Sequence, residues 1–457
     1  MSRVKVLVVD GGGRGDTLVR KYFESPHVDE VHVVPGNDFM KFANEKPVKT
    51  YPKLKTTSVS QIVNLCVSKK ISLADVAQDN AVAADLASAL RREGILVIGP
   101  SAQAGELEWS KIYARNFGRL HICGHQPDFR AFDTPETGLE YIRHAMMPVY
   151  VKADGLCAGK GAFGTRTMSE VHEAIMRMGD LENNAGKRYL IEEWLGGKGA
   201  LTKVEEFSAY ALIVGNDVVK IGYAQDNKRL NNFDKGPMTG GVGAHSPPLV
   251  ITPKIDRIVM DIFQKAADGL VKEGRPYNGI LYLGGMLVSS KSGNGRVYIV
   301  EWNARWGDPE CQVIVPGIIN DMYEVGIATA RGKISGLTIS TDGKTRVAVA
   351  GVARGYPGDY SGVAGRRIWG LQKAIQMPGV TVYGAGIAVE DKKFYVAGGR
   401  LFYVVGEGDN VAEAKGRAEN AISKVSIYGN GLHFRTDIAD RDIERYNALA
   451  VNLRDSH

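Results

Sequence analysis

"KADGLCAGKGAFG", residues 152–164, sets glycines at 155, 159, 161 and 164 around Lys152 and Lys160. A glycine-rich turn carrying lysine commonly holds phosphate, and the kind of turn decides the fold. A P-loop places four residues between its first glycine and the Gly-Lys pair, then a Ser or Thr whose hydroxyl reaches magnesium. Here three residues separate Gly155 from Gly159, and Gly161 stands where the hydroxyl belongs. The P-loop reading fails on both counts.

Outward from that loop the chain is α/β throughout. The opening "VKVLVVDGGGRGDTLVRKYFE" reads as a buried strand from Val4 to Val9, a glycine turn, and a helix with Leu18, Val19 and Tyr22 at helical spacing. Further strands are expected at "VHVVPG", "ISLADVA" and "ILVIGPS", with helices near 60–67 and over "NAVAADLASALRREG". Such a series predicts a small doubly wound sheet. It does not predict dinucleotide binding, because the third glycine of the fingerprint falls at Asp16. Amides exposed at the start of the first helix would still favour a phosphate.

Residues 106–180 alternate helices ("ELEWSKIYARNFG", "PETGLEYIRHAMM", "SEVHEAIMRMG") with the strands "PDFRAF" and "PVYVKADG". From about 187 strand signals dominate, with a hairpin turn at "KSGNG" and helices over 253–273 and near 320–331. The remainder returns to strands and one helix from Val411 to Ser423, which reads as a separate α/β module. Three units are expected, at 1–105, 106–335 and 336–457.

A chain of 457 residues exceeds what one hydrophobic core supports. Its 44% hydrophobic and 24% charged content excludes extended disorder. The net charge of +6 comes from scattered lysines and arginines, which suits anionic small molecules better than nucleic acid. Cys66, Cys123, Cys157 and Cys311 lie far apart with no CxxC spacing. Without a leader or an apolar run of about 18 residues, a reducing cytoplasm is expected and a membrane is not.

The chemistry is carried by "VYIVEWNARWGDPECQ", residues 297–312. Strand alternation sends Glu301, Asn303 and Arg305 to one face, giving a carboxylate, an amide oxygen and a guanidinium in a row. Hard cations accept such oxygens and share their shell with phosphates, while an arginine fork binds phosphate oxygens in pairs. Three polar residues on alternate positions more often make a solvated face with a salt bridge. What favours the nucleotide reading is company: Lys111 on a helix, Lys152 before the glycine loop, and "IEEWL" at 191–195.

That order resembles the ATP-grasp ligases, in which the glycine loop is a flap between strands that folds over a triphosphate. "VKADGLCAGKG", "QDNKR", "DKGPMTGGVGAHSP", "EWNARWGDPECQ" and "GYPGDYSG" resemble, more narrowly, the motifs of the phosphoribosylamine–glycine ligases, also called glycinamide ribonucleotide synthetases. The resemblance covers nearly the whole chain. It implies an ATP-grasp fold with an N-terminal Rossmann-like unit and a C-terminal α/β unit, ATP with Mg2+ or Mn2+, the substrates glycine and 5-phosphoribosylamine, and a monomer. It also implies an acyl phosphate route in purine synthesis.

Carried over by position, the resemblance implies that Glu301 and Asn303 hold the metal and that Arg305 steadies the transferred phosphoryl group. Lys111 and Lys152 would contact ATP phosphates under a flap of Gly159, Lys160 and Gly161. Glu192, Glu193 and the backbone to Leu195 would meet adenine, and Glu206 the ribose. Asp226 and Arg229, with Thr239, Gly240 and Gly241, would sit near glycine and the amine, while Gly12 and Gly13 would offer amides to the sugar phosphate. Departures concentrate in the acceptor half: "GGRGDT" at the first turn, Asp79 where a glutamate is expected, Asn227 and Met238. A sibling ligase with another amine acceptor, or a nucleotide-binding pseudoenzyme, are the alternatives. "HICGH" (121–125) reads as a loop or edge segment and not a metal site, Cys157 as a small filler, and the tryptophans as core.

Overall fold

A computed structural model describes residues 3–145, 147–157, 161–196, 203–289 and 295–454. Near the N-terminus, five parallel strands run in the order Val48–Thr50, Val28–Pro35, Val4–Asp10, Leu73–Asp75, Leu96–Ile98. The continuous Val/Leu run from Val6 to Val9 is fully buried, as a parallel strand covered on both faces requires. Strand order reverses at Val4–Asp10, so the glycine turn after it opens at a topological switch point, where such sheets bind ligands. Val48–Thr50, too short to carry a periodic signal, was not expected.

Two expected long helices are each broken. The first becomes Asp79–Ala83 and Leu86–Arg92, divided at Asp85, which adopts φ +57°. The second becomes Ala102–Trp109 and Lys111–His121, where Ser110 ends one helix and caps the next by accepting from the Tyr113 amide at 3.1 Å. An interruption of one or two residues leaves the apolar periodicity almost unchanged, so the pattern conceals it.

A small antiparallel sheet follows, in the order Phe129–Phe132, Tyr189–Glu193, Val149–Ala153, Ala162–Thr165. Helices Pro135–Ile142 and Met168–Arg177 pack on one of its faces around Phe132, Ile142, Val151, Val171 and Ile175. A nine-stranded sheet forms the centre of the molecule. Its order is Gly295–Asn303, Asn278–Ser289, Lys203–Val214, Asp217–Asp226, Gly243–Ser246, Thr345–Ala353, Arg400–Gly408, Val380–Gly384, with Leu432–His433 beside Thr345–Ala353.

The residues expected as a separate α/β module, 336–457, share this sheet with the middle of the chain. Gly243–Ser246 pairs with Thr345–Ala353, so the sheet runs unbroken from the middle of the chain into its C-terminal part. The C-terminal part also ends in an unexpected helix, Asp440–Arg454. Most of the expected "KSGNG" turn lies outside the described residues, although the strands it would join are paired antiparallel. Among the described residues no helix is long and apolar enough to cross a membrane.

Candidate active site

The strand Gly295–Asn303 carries the site, and a bulge aims it. Gly284 pairs with Glu301 while Gly285 pairs with Ile299, leaving Val300 as the extra residue. Val297 and Ile299 point into the main core, and so do Trp302 and Ala304 after the bulge. Unbroken alternation from Ile299 would have turned Glu301 and Asn303 into that core. The extra residue turns them to the cleft instead, a use of bulges common beside active sites. Arg115 donates to the carbonyl of Val300 at 2.7 Å and so satisfies the irregular backbone.

Across the cleft stands the small sheet. Lys152 and Glu192 are both buried there and ion-paired, and Arg115 donates to the second Glu192 oxygen at 2.9 Å. Burial alone would raise the Glu192 pKa, but Arg115 and Lys152 together hold it below the ordinary range. Its two oxygens are thus taken by Arg115 and Lys152, and it ties Lys152 to the small sheet. Glu193 stands at the strand end, where its amide donates to the Asp128 carbonyl at 2.9 Å, with Trp194 tilted against Tyr150 at 4.8 Å and Leu195 half-buried beyond.

Lys111 opens its helix and donates to the Gly155 carbonyl at 3.3 Å. Asp154 ties the base of the glycine loop to the same helix start, accepting from Ser110 at 2.9 Å and from the Ile112 amide at 2.8 Å. Ala153 donates to Gly161 at 2.8 Å and closes the stem. Gly159 and Lys160 lie outside the described residues. Glu206, exposed on the central sheet, lies within electrostatic reach of Tyr150 and of Lys228, as Arg229 does of Tyr150. Arg229 itself donates to Gly236 at 2.9 Å. Among the described residues it makes no hydrogen bond or ion pair with Asp226.

Glu301 binds Lys228 at 2.9 Å. Burial would raise the Glu301 carboxyl, but Lys228, then Lys152 and Lys111, hold it down at about 2. Three lysines from three different elements thus converge on one carboxylate. Asn303 is buried, with its oxygen accepting from Arg305 at 3.0 Å and its amide nitrogen without a partner. The Arg305 guanidinium also pairs with Glu108 at 2.9 Å and donates to the Trp306 carbonyl at 3.0 Å. Burial pushes Glu108 up to about 7 even with Arg305 on it.

No group of three or more metal-binding His, Cys, Asp or Glu side chains occurs among the described residues. The donor set is one carboxylate and one amide oxygen, which fits an ion that shares its shell with phosphates better than one caged by protein. The lysine on Glu301 shows that the spot takes positive charge. In the "HICGH" segment, His121 bonds Glu273 at 2.8 Å and His125 the Val297 carbonyl at 3.0 Å, both within the scaffold.

Beyond Lys228, Asp226 has one buried oxygen without a partner. Thr239 shapes its loop, donating to the Lys228 carbonyl at 2.9 Å and accepting from the Gly241 amide at 3.1 Å. Arg400, from the C-terminal part, holds that loop through the carbonyls of Gly240 at 2.7 Å and Asp308 at 2.9 Å. Tyr356 of "GYPGDYSG" accepts from the Gly240 amide at 3.3 Å. Gly241 has φ +104°, and a β-carbon there would sit 2.5 Å from Pro309 and 2.9 Å from Asp226. Gly241→Ala should therefore cost roughly 1 to 3 kcal/mol of stability and raise the acceptor KM with the ATP KM unchanged. Melting curves and separate KM values for each substrate check this.

The N-terminal turn departs from expectation. The Gly12 amide is satisfied internally, donating to Asp10 at 2.6 Å, and Gly15 donates to the same oxygen at 3.1 Å. Gly12 thus serves the turn and does not hold its amide free for a ligand. Gly13 packs under Tyr403, whose ring a β-carbon would meet at 2.4 Å. Arg14 is buried and joins Asp10 to the Trp306 carbonyl at 2.7 Å and to Gln78. Asp79, next to Gln78, acts electrostatically on both Arg305 and Glu108. Asp16 instead accepts from Arg20 at 3.1 Å and from the Gly384 amide at 2.9 Å, joining the first helix to the C-terminal part.

Two facing sheets, a lysine before a glycine loop and a carboxylate–amide pair on the opposing strand define an ATP-grasp enzyme. Family models described as the N, ATP-grasp (A) and C domains of phosphoribosylglycinamide synthetase match residues 4–108, 109–311 and 346–441. The phosphoribosylamine–glycine ligase of Neisseria meningitidis serogroup B is 35% identical over 450 residues, covering 97% of this chain and 100% of that one. That of Vibrio cholerae is 33% identical over 448 residues, with coverage of 97% and 100%. The chain belongs to the phosphoribosylamine–glycine ligase family.

The crystal structure of the Thermotoga maritima phosphoribosylamine–glycine ligase superposes with a TM-score of 0.76 at 28% identity, covering 95% of this chain and 100% of that one. The biotin carboxylase domain of Hydrogenobacter thermophilus 2-oxoglutarate carboxylase, solved with MgADP, shares the fold at a TM-score of 0.70 and 16% identity. Coverage there is 95% of this chain and 92% of that one.

Proposed function

We propose that the chain joins glycine to 5-phosphoribosylamine at the expense of ATP, giving glycinamide ribonucleotide, ADP and phosphate in purine synthesis. One observation supports this most. The row Glu301, Asn303, Arg305 runs from a nucleotide side, where Lys111, Lys152 and Lys228 act on Glu301, to an acceptor side, where Arg305 meets Glu108 and Asp79. A phosphoryl group crossing from ATP to a carboxylate travels along such a row.

In this reading the glycine carboxylate attacks the γ-phosphorus, the bond to the β–γ bridging oxygen breaks, and ADP leaves. The nitrogen of phosphoribosylamine then attacks the acyl carbon of glycyl phosphate and loses a proton as the amide forms. Phosphate departs with the oxygen that had belonged to glycine. Enzymes catalyse phosphoryl transfer mostly by positioning and charge neutralisation, which lysines and a fixed guanidinium supply. Lys152, held by Glu192 and Arg115, and Lys111 orient the phosphates, while Arg305 faces the transferred group. Glu301 and Asn303 would hold Mg2+ or Mn2+, which neutralises phosphate charge when bound.

The departures at the first turn do not argue for another acceptor, because Asp16 is committed to a structural tether. Screening amine acceptors at saturating ATP and glycine, with product masses recorded, tests the reading. A product of glycine plus phosphoribosylamine less water is expected. Turnover with a different amine only would make this a sibling ligase.

A further inference from the structure

The Arg305 guanidinium makes three polar contacts, and two of them are local. It donates to the Asn303 side chain, two residues back, at 3.0 Å and to the Trp306 carbonyl, one residue on, at 3.0 Å. Such partners travel with Arg305 and cannot fix it against the rest of the molecule. Among the described residues the one partner from another element is Glu108, whose Oε1 lies 2.9 Å from the guanidinium. Its other oxygen accepts from the Ala304 amide at 2.7 Å. One buried carboxylate thus grips both the backbone before Arg305 and the side chain itself.

The surroundings are arranged for this grip. Glu108 lies in the last turn of helix Ala102–Trp109, three residues after Gly105 and so on the same side of the helix. Gly105 lets that helix approach: a β-carbon there would meet Val82 at 2.4 Å and stand 3.8 Å from Ala304. A carboxylate at this spot meets two unfavourable conditions, burial and the carbonyl end of a helix. A buried ion pair often contributes no more stability than apolar side chains of similar volume. Residues that go against local preference in this way are expected at functional sites, where the loss is offset elsewhere.

The helix break at Ser110 adds a second fixed point. Lys111 opens the next helix and donates to the Gly155 carbonyl at the foot of the glycine loop at 3.3 Å, while Ser110 donates to Asp154 at 2.9 Å. One short stretch of backbone, Glu108 to Lys111, therefore anchors a cation on each side of the phosphoryl path, Lys111 towards the nucleotide and Arg305 towards the acceptor.

We propose that Glu108 is a positioning residue of the ligase reaction that acts through Arg305, setting the guanidinium opposite Lys111 so that the two cations flank the group in transit. The inference rests on the ligase reading and deepens it. Glu108 touches no substrate and moves no proton in this role.

The test is a double-mutant cycle with Arg305→Lys. Glu108→Asp keeps the counter-charge in its pocket and withdraws it by one methylene. Its kcat should fall by about ten- to a hundredfold, the worth of one hydrogen bond to a charged group, with the KM for ATP within about twofold and the melting temperature nearly unchanged. Glu108→Gln, which offers one acceptor where two donors converge, should show the same split, and Glu108→Asp carries the test should it fail to fold. In the Arg305→Lys background either substitution should lower kcat by less than about twofold more, because residues that act as one unit are not additive. Radiolabelled ATP resolves the residual rates. An unchanged kcat in Glu108→Asp, losses that multiply in the double variant, or a rise in the KM for ATP that tracks a fall in melting temperature overturns the role of Glu108 and leaves the ligase reading intact. No glycine-dependent ADP release from the unsubstituted protein overturns both.

Discussion

Glu301→Gln is expected to cut turnover by about a hundredfold or more and to leave the fold intact. The substitution keeps the shape of the side chain and removes its charge. Glu301 is one of two oxygen donors on the strand, and its carboxyl sits at about 2 because Lys228, Lys152 and Lys111 outweigh the effect of burial. An amide recruits a divalent ion far less well, and Lys228 would be left facing it. The pair with Lys228 is partly exposed, with side chains 26% and 37% accessible, so its loss alone costs only about 1 kcal/mol of stability. Turnover measured across a series of Mg2+ concentrations separates the effects, and should show a raised metal requirement as well as a lowered ceiling. Near-normal turnover at the original metal concentration would remove Glu301 from the metal site.

Glu192→Gln should instead strike stability. Glu192 stands between Arg115 and Lys152 with almost no access to water, and an amide there leaves two buried cations without a counter-charge. Breaking such a group by removing one partner costs about 3 to 5 kcal/mol. Because the folded Glu192 pKa lies below its unfolded value, the stability it contributes is fully present above about pH 4.3. It is lost as pH falls through the folded value. Melting temperatures should therefore differ widely between the two proteins at pH 7 and converge in acid. ATP affinity should fall with Lys152 no longer held; an unchanged KM for ATP would show that Glu192 does not position that lysine.

The residues legible in the sequence are those whose type and spacing carry their chemistry. Glu301, Asn303 and Arg305 could be placed on one face from the strand alone, and Lys152 from its position before the glycines. Their direction, however, depends on the bulge at Val300, which no alternation reveals. Glu192 lies in the "IEEWL" stretch that the resemblance sets at adenine, while its partner Arg115 stands 77 residues away and is marked by nothing local. Glu108 and Arg400 belong to no motif and act through contacts across the fold, so nothing local marks them. The Gly-rich turn offered amides on paper, and Asp10, two residues before Gly12, takes them.

The most direct measurement follows one oxygen atom. Glycine labelled with 18O in its carboxylate is incubated with ATP, phosphoribosylamine and Mg2+, and the released phosphate is weighed by mass spectrometry. Activation of the carboxylate as glycyl phosphate predicts one labelled oxygen in each phosphate formed. Phosphate without label, alongside normal amide formation, would contradict it.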